Sequence, residues 1–520
     1  MSRNQNALRC LLAVAAGLLV CGFAGVSVAA DANMKRPNIV YILADDLGIG
    51  DVGAFNPDCK IKTPSMDRLA AEGMRFTDAH SGSAVCTPTR YGVLTGRYSW
   101  RTRLQSGVCW GYSVPLIAEG RMTVASMLKQ QGYNTGCIGK WHLGLNWALK
   151  DPKKVPSDNS KETWDNIDFT KPISAGPNQV GFDHFFGISA SLDMHPYVYI
   201  ENDRVSSVPE KIVPASGGKQ IWRAGPIGDD FQHDEILDRL TEEAVSYIGS
   251  QKADKPFFLY FPLTAPHTPI VPNETFRDKS GLNEWGDFVM QVDWTIGRVM
   301  QAVESNGLAE NTLFIVTSDN GATPQADFPA LKKKGHDPSY LFRGHKADIF
   351  EGGHRVAFLA RWPAVIKPGS TSNETICHTD LLATAADITG LTLPATAGED
   401  SVSMLPLLKQ SASGAVREAT VHHSINGNFA IRRGNWKLCF CPGSGGWSEP
   451  RPQQARKDKL PEVQLYDLSK DIAESDNVQA AHPEVVQELA ALMQKYVDEG
   501  RSTTGKRQKN DRSVLFEWKK

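Results

Sequence analysis

Four short apolar runs lie at wide intervals along the chain. The first is residues 38–43 (NIVYIL), and the others are 257–261, 312–316 and 357–360. A continuous apolar run without alternation is typical of a strand buried on both faces. Between the runs, apolar residues recur at helical spacing at 63–74, 123–131, 234–250 and 288–303. Strands that alternate with helices predict an α/β fold around a large, mainly parallel sheet.

The pattern changes near residue 420. Short strand-like pieces follow at 428–432, 436–440 and 463–467, and a helical pattern covers 483–499. Because Pro- and Gly-rich loops separate these pieces, we predict a smaller C-terminal antiparallel sheet with a packed helix. Residues 151–228 are polar and lack periodicity, which predicts long surface loops.

The first thirty residues differ from the rest. Arg3 and Arg9 precede an apolar run at 11–20 and small residues that end at Ala30. This order is typical of a secretory signal peptide cleaved near Ala30, so we expect an exported chain, periplasmic or extracellular, without stable membrane insertion after cleavage. An uncleaved anchor, or acylation at Cys21, is the alternative. The predicted organisation is a signal at 1–30, an α/β domain at 31–420 and a C-terminal subdomain with its tail at 421–520.

Charge and cysteine content limit the possible partners. Lys and Arg total 56 and Asp and Glu total 58, which gives a formal net charge of −2. Because no strong field results, we expect no nucleic acid or anionic membrane as a main partner. Of 9 cysteines, Cys10 and Cys21 fall in the predicted signal. The odd number that remains means that at least one thiol is free or modified. The pairing of the others stays open.

Acidic residues follow two of the predicted buried strands. Asp45 and Asp46 come after residues 39–43, and Asp319 and Asn320 come after 313–316. Ligands bind beyond the carboxyl ends of parallel strands, and carboxylate and amide oxygens suit Ca²⁺ or Mg²⁺. Each pair taken alone is more typical of a turn than of a metal site. Together, on one sheet edge, they predict a divalent cation site.

The segment from Cys86 to Arg97 carries a second candidate. Pro88 suits the first turn of a helix, which places Cys86 just before the helix N-terminus. Free amides and the helix dipole favour an anion there, and Arg90, one turn along, adds a fork suited to a tetrahedral oxyanion. The alternative is a small buried cysteine before an ordinary helix.

These segments together resemble one known family. Residues 86–97, with Cys-x-Pro-x-Arg followed by Leu-Thr-Gly-Arg, resemble the formylglycine signature of type I sulfatases, and 132–144 are similar to the second signature. Similar segments follow in order at 265–269, 317–321, 343–353, 433–437 and 465–468. Ala383 departs from the pattern, because relatives often have Pro there. The resemblance implies the alkaline-phosphatase-like fold, a mixed, mainly parallel sheet sandwiched by helices, with a smaller C-terminal antiparallel sheet plus helix.

The resemblance implies a modified nucleophile and a metal ion. A formylglycine-generating or sulfatase-maturating enzyme would oxidise Cys86 to formylglycine (3-oxoalanine), which hydrates to a diol. One hydroxyl would attack sulfur, and the second would lose its proton so that sulfate leaves as the aldehyde reforms. Ca²⁺, with Mg²⁺ as second choice, would be held by the modified Cys86 and by four further ligands. These are Asp45, Asp46, Asp319 and Asn320.

The resemblance also implies roles for five polar side chains. Arg90 and Lys140 would steady the formylglycine and the developing charge, and His142 would be the base for sulfate elimination. His267 and Lys346 would face the ester, with His267 protonating the leaving oxygen. Asp193 and His195 lie in the predicted loop region and are further candidate substrate contacts.

The expected function is hydrolysis of sulfate monoesters, with aryl or carbohydrate sulfates as substrates and sulfated carbohydrates favoured by the export signal. Two other functions stay open. A phosphate mono- or diester hydrolase of the same superfamily would share the metal site, although a Ser or Thr nucleophile would be expected. A non-catalytic relative that binds sulfated glycans would keep Cys86 as a thiol.

Overall fold

The computed structural model describes residues 36–156 and 164–516, and these described residues belong to one compact unit. The predicted signal at 1–30 lies outside the described residues. Among the helices that are described, none combines the length and the apolar character needed to cross a bilayer.

Strands and helices alternate over most of the chain. The strands are β1 (Asn38–Asp45), β2 (Met74–Phe76), β3 (Ala79–His80), β4 (Asn134–Lys140), β5 (His184–Ile188), β6 (Ile200–Glu201), β7 (Arg204–Val205), β8 (Lys211–Val213), β9 (Gly225–Ile227), β10 (Phe257–Pro266), β11 (Thr312–Ser318), β12 (Phe358–Arg361), β13 (Ser370–Ser372), β14 (Ile376–Cys377), β15 (Thr420–His423), β16 (Phe429–Arg433), β17 (Trp436–Cys439) and β18 (Gln464–Asp467). The helices are α1 (Pro64–Glu72), α2 (Cys86–Thr95), α3 (Val124–Gln130), α4 (Ile236–Gly249), α5 (Glu284–Ser305), α6 (Phe328–Lys333), α7 (Glu351–His354), α8 (Leu381–Thr389), α9 (Leu405–Leu408), α10 (Pro452–Lys457) and α11 (Pro483–Glu499).

The large sheet is mixed and mainly parallel. Within the described residues its order is β13-β2-β12-β11-β1-β10-β4-β5-β6-β7. The central strands β11, β1, β10, β4 and β5 all run parallel, whereas β12, β6 and β7 add antiparallel pairings nearer the edges. The predicted fold class is therefore confirmed. All five parallel strands end at the same sheet edge.

Helices cover both faces of this sheet. Alternate residues of β1 enter two different cores, with Ile39, Tyr41 and Leu43 in one and Val40 and Ile42 in the other. The first core includes apolar side chains of α2, α3 and α8, and the second includes those of α1, α4 and α5. Burial on both faces explains why β1 reads as an unbroken apolar run.

The C-terminal region forms the antiparallel sheet β15-β16-β17-β18. Helix α11 begins and ends where the pattern predicted, and its apolar residues, including Leu489 and Met493, share a core with Ile431 and Leu438 of the sheet. Tyr98 and Trp100, which follow α2, enter the same core. The sheet is therefore packed directly against the segment that carries Cys86.

Two local predictions were wrong. Residues 184–188, predicted as loop, form β5, which pairs in parallel with β4 and extends the large sheet. This strand is short and contains Gly187, so only its pairing with β4 identifies it. Cys86 was predicted just before a helix, but Val85 has the extended N-cap conformation and Cys86 is the first residue of α2. Its backbone amide still lies in the first turn, where helical amides have no intrahelical partner.

Candidate active site

Five polar residues meet at the carboxyl edge of the parallel strands. Asp45 ends β1 and Lys140 ends β4, while Asp319 and His267 directly follow β11 and β10. Asp46 follows Asp45, and its backbone N–H donates to Asp319 Oδ1 at 3.1 Å. Parallel pairing of β11, β1, β10 and β4 thus brings together residues that are more than 270 positions apart in sequence.

The oxygen atoms of this edge fit a hard divalent cation. Asn320 Nδ2 donates to Asp46 Oδ1 at 2.7 Å. Asp45 Oδ1 and Asn320 Oδ1 are buried and have no hydrogen-bond partner within the described chain. Ligand atoms of Asp45, Asp319 and Cys86 lie within 4.8 Å of one another. Carboxylate and amide oxygens are the ligands that Ca²⁺ takes, so these residues could hold it.

Each buried carboxylate also contacts a buried cation. Lys140 Nζ lies 2.6 Å from Asp45 Oδ2, and Lys346 Nζ lies 2.8 Å from Asp46 Oδ2. The third pair joins Arg90 to Asp319, with Nη2 at 2.8 Å from Oδ2. Arg90 Nη1 also donates to the carbonyl of Lys140 at 2.9 Å. These contacts hold the six side chains in a fixed geometry.

The pairing does not remove all the repulsion between the carboxylates. Burial, together with the charges of Asp45 and Asp319, raises the pKa of Asp46 to about 7, although Lys346 opposes this shift. Burial and Asp45 also raise the pKa of Asp319. For Asp45, burial is outweighed by Lys140 and Arg90, which lower its pKa. A bound divalent cation would relieve this repulsion, as expected of a metal site.

Cys86 lies at this cluster with its side chain almost fully buried. Burial raises the pKa of its thiol, although Lys140 and Lys346 act in the opposite direction. The thiol therefore stays protonated at neutral pH and is not activated as a thiolate. The next residue fixes the turn, because Thr87 Oγ1 donates to the carbonyl of His142 at 3.0 Å and accepts from the amide of Cys109 at 3.1 Å.

The two predicted catalytic histidines have defined tautomers. His142 Nε2 lies 2.7 Å from the carbonyl of Cys109, so it carries the proton. Nδ1 is then a lone-pair acceptor, and it is buried without a partner in the described chain. His267 Nδ1 lies 2.5 Å from the carbonyl of Thr268 and is the protonated nitrogen. Burial, reinforced by nearby lysines, holds the pKa of both imidazoles well below its usual range.

Left-handed backbone conformations recur at the site. Asp46 has φ of 68°, His142 has 56° and Ala347, next to Lys346, has 79°. Such values are uncommon for residues other than glycine, least so for Asp and His, and they persist where surrounding contacts impose them. At Gly321, after Asn320, an added Cβ would lie 1.8 Å from the carbonyl oxygen of Gly352. The site backbone is therefore closely packed.

Ser191 was missed by the sequence analysis. Its Oγ accepts from Lys140 Nζ at 3.1 Å and lies 3.2 Å from His267 Nδ1. It follows β5, the strand that the polarity pattern had assigned to a loop. Recognition of β5 as a parallel strand would have placed Ser191 at the same carboxyl edge.

Asp193 and His195 lie on the same segment. Asp193 forms an ion pair with Arg223, whose guanidinium lies 4.7 Å from the ring centre of Trp110. Although burial opposes it, the charges of His267 and Arg223 lower the pKa of Asp193. His195 Nδ1 lies 3.2 Å from the hydroxyl of Tyr112. Asp193 is thus electrostatically linked to the site, whereas His195 belongs to an aromatic cluster beside it.

A second buried cluster supports the segment that carries Lys346. Lys437 Nζ of β17 lies 3.0 Å from Glu351 Oε1 and 3.0 Å from His354 Nε2. His354 Nδ1 is 3.1 Å from His80 Nδ1, and His80 Nε2 is 2.9 Å from Asp78 Oδ1. This chain of contacts joins the C-terminal sheet to α7, five residues after Lys346.

Comparison with known proteins identifies the family. A family model described as Sulfatase matches residues 37–391. The chain is 36% identical over 504 residues to an N-acetylgalactosamine-6-O-sulfatase of Bacteroides thetaiotaomicron, covering 89% of this chain and 93% of that protein. It is 32% identical over 504 residues to arylsulfatase A of Homo sapiens, covering 93% and 89%.

A solved structure gives the same result for the fold. The solved protein is described as part of the metabolism of multiple glycosaminoglycans by Bacteroides thetaiotaomicron. The two structures superpose with a TM-score of 0.78 at 34% sequence identity, over 89% of this chain and 99% of that one. The α/β sheet is therefore that of a sulfatase. The chain belongs to the sulfatase family, and the resemblance predicted from its motifs is confirmed.

The buried histidine cluster predicts how stability depends on pH. Burial lowers the pKa of His80, His354 and His422. Below about pH 6.5 these histidines are therefore protonated in the unfolded chain but stay neutral in the folded chain. Stability should then fall with decreasing pH, by roughly 1.4 kcal/mol per pH unit for each histidine. Urea unfolding between about pH 7.5 and about pH 5.5, at constant calcium, measures this.

The variant His422→Asn serves as the comparison, because it removes one of the three imidazoles. Its unfolding free energy should depend less steeply on pH than that of the wild type. Equal slopes, or a wild type that gains stability on acidification, would contradict the prediction.

Proposed function

We propose that this sulfatase hydrolyses carbohydrate sulfate monoesters with formylglycine, made from Cys86, as nucleophile and Ca²⁺ as metal ion. The main support is the position of Cys86, whose sulfur lies within 4.8 Å of oxygens of both Asp45 and Asp319. A nucleophile formed there reaches a sulfate held against the same cation. A separate maturation enzyme would supply the oxidation.

The state of the Cys86 thiol supports the need for this modification. The thiol is buried and its raised pKa keeps it protonated, so it lacks the thiolate that cysteine nucleophiles use. A hydrated aldehyde at this position supplies one hydroxyl to attack sulfur and a second whose deprotonation lets sulfate leave. Overall, one water is consumed, the S–O ester bond breaks, and an alcohol and inorganic sulfate are released.

Proton transfer is assigned to the two histidines. His142 presents an unprotonated Nδ1 and takes a proton from the group at position 86. His267 has Nδ1 committed to the carbonyl of Thr268, so Nε2 faces the site, 3.7 Å from Asp46 Oδ2. In the neutral ring this Nε2 carries no proton, so we propose that His267 becomes protonated when the sulfate anion binds and that its Nε2–H then protonates the leaving alcohol.

The cations of the site bind the sulfate group and the developing charge. Arg90 and Lys140 reach the site from α2 and β4, and Lys346 reaches it from the segment before α7. All three are buried, which strengthens their interaction with an anion relative to water. Ca²⁺ held by Asp45, Asp46, Asp319 and Asn320 would neutralise charge on the sulfate oxygens and lower the pKa of the attacking hydroxyl.

The name of a relative supports a proposal for the substrate class. The protein that is 36% identical over most of both chains is named an N-acetylgalactosamine-6-O-sulfatase. We propose a 6-O-sulfated amino sugar as the group that is hydrolysed, with aryl sulfates as simpler surrogates. The predicted export signal agrees with a polysaccharide-derived substrate outside the cytoplasm.

The assignment of Cys86 is tested by mass spectrometry and by substitution. In protein from its native host, the peptide that contains Cys86 should have lost one sulfur and two hydrogens and gained one oxygen, because –CH₂–SH becomes –CHO. Cys86→Ala should lower kcat at least about 1,000-fold because the nucleophile is missing. The thermal midpoint should change little.

Cys377→Ala is the matched control, because Cys377 is also a buried free cysteine and lies outside the site. It should keep sulfatase activity. An intact thiol in fully active native protein, or wild-type rates in Cys86→Ala, would overturn the proposal.

The assignment of the metal is tested by chelation. Removal of divalent ions should abolish turnover and lower the thermal midpoint, and Ca²⁺ at about 100 times its Kd should restore about 2.7 kcal/mol of stability. Asn320→Ala should weaken this response, whereas Asn435→Ala, an exposed amide in the C-terminal sheet, should leave it unchanged. A fully chelated protein with unchanged midpoint and activity would exclude the metal site.

The assignment of substrate is tested by parallel assays. We expect sulfate release from 6-O-sulfated N-acetylgalactosamine with higher kcat/KM than from its 4-O-sulfated isomer or from an aryl sulfate. The corresponding 6-phosphate should be a poor substrate. Faster phosphate than sulfate release would instead favour phosphomonoester hydrolysis.

A further inference from the structure

A cavity of about 440 Å³ lies in the C-terminal region, and none of the predicted catalytic residues lines it. Its walls come from the loop between β15 and β16, from the loop after β17, and from α10. The polar lining consists of Asn426, Asn428, Arg451, Gln453 and Arg456, and Gly446 forms part of the wall. Arg451, Gln453 and Arg456 supply hydrogen-bond donors, whereas Nδ2 of Asn426 and Nδ2 of Asn428 already donate to the carbonyl of Gly445.

Backbone hydrogen bonds join this cavity to the active site. Ala347, next to Lys346, donates to the carbonyl of Ala84 at 2.8 Å and accepts from the amide of Ile425 at 3.0 Å. Ala84, two residues before Cys86, donates to the carbonyl of His423 at 3.0 Å. The wall of the cavity is therefore continuous with the segments that carry Lys346 and Cys86.

Gly446, in the loop after β17, packs closely against the backbone of Ala347. A Cβ at Gly446 would lie 2.3 Å from the carbonyl oxygen of Ala347, so only glycine allows this approach. The amides of Trp447 and Ser448 both donate to Asp348 Oδ1, at 2.7 and 3.0 Å. These bonds place the loop after β17 against the Lys346 segment.

The charges of the cavity are available to a ligand. Arg456 is exposed and makes no ion pair with any carboxylate of the described chain. Arg451 pairs with Glu449 at 3.2 Å, but both side chains are about two-thirds exposed, and such pairs contribute little. Arg451 also donates to the carbonyl of Trp447, whose side chain is 37% exposed. An exposed indole beside hydrogen-bond donors is suited to the face of a sugar ring.

The cations of the active site are not available to bind a second anionic group of the substrate. Arg90, Lys140 and Lys346 each already contact a buried carboxylate and lie where the sulfate ester must bind. A second anionic group on the same substrate therefore needs other cations. Arg451 and Arg456 are two such cations, and they lie on a cavity wall that contacts the Lys346 segment through Ala347.

We infer that Arg451 and Arg456 form a subsite for an anionic sugar next to the sulfated one. The guanidinium groups bind its carboxylate or sulfate, Asn426, Asn428 and Gln453 contact its hydroxyls, and Trp447 lies along its face. The substrate class is then an anionic oligosaccharide rather than a monosaccharide sulfate. This inference rests on the proposed hydrolysis of carbohydrate sulfates.

The test compares three substrates that share one sulfated sugar. These are the monosaccharide sulfate, an oligosaccharide in which a uronate is its neighbour, and the same oligosaccharide with the carboxylate reduced to an alcohol. Arg456→Gln should lower kcat/KM about tenfold on the uronate substrate, because a charge-assisted contact is lost. On the other two substrates it should change kcat/KM less than about twofold. An oligosaccharide with a neighbouring sulfate in place of the uronate shows which anion is preferred.

Lys457→Gln is the matched control, since Lys457 lies in the same helix, carries the same charge and does not line the cavity. It should behave as the wild type on all substrates. Trp447→Ala should lower kcat/KM on both oligosaccharides and leave kcat/KM on the monosaccharide sulfate unchanged.

The outcomes separate this inference from the proposed function. If the wild type releases no sulfate from any sugar, the proposed function fails. If the wild type hydrolyses the sugars but Arg456→Gln equals Lys457→Gln on the uronate substrate, the subsite is rejected and the proposed function stands. Equal losses on all three substrates would also reject it, because a general defect does not depend on the neighbouring anion.

Discussion

The repulsion between three buried carboxylates is the constraint on which the active site depends. Asp45, Asp46 and Asp319 are brought together because the two parallel strands β1 and β11 end side by side, and none of the three is exposed to water. Isolated buried charges of one sign would be strongly destabilising. The structure offsets them with Arg90, Lys140 and Lys346, and Oδ1 of Asp45 and Oδ1 of Asn320, which accept no hydrogen bond in the described chain, could bind a divalent cation. The same cations and metal ligands are then suited to hold a sulfate ester.

The C-terminal sheet supports this arrangement from outside the large sheet. Lys437 of β17 contacts Glu351 and His354, and backbone bonds at Ala347 tie the Lys346 segment to the loop after β15. Lys346 is therefore positioned by residues from both sheets. The same contacts place the cavity of Arg451 and Arg456 beside the segments that carry Lys346 and Cys86, so one interface both positions Lys346 and forms a wall of this cavity.

Local patterns predicted the parts of the fold that are set by burial and by chain-local geometry. The continuous apolar run of β1 marks a strand covered on both faces, and the bounds of α11 follow from its amphipathic repeat. The residues Asp45, Asp46, Asp319 and Asn320 were found because they follow such runs directly. By contrast, β5 has only five residues, one of which is a glycine, and its assignment as a strand depends on its pairing with β4. Ser191 was missed for the same reason.

The sequence by itself determined the family, the α/β class and the chemical identity of the site residues, because motifs and apolar runs are encoded over short stretches of chain. Only the tertiary structure decided which atoms of those residues meet. The tautomers of His142 and His267, the partners of each carboxylate and the contacts of Ser191 depend on residues distant in sequence. The cavity lined by Arg456 likewise required the C-terminal sheet to be placed against the Lys346 segment. Such contacts follow from strand order and packing, and no local pattern of residues contains that information.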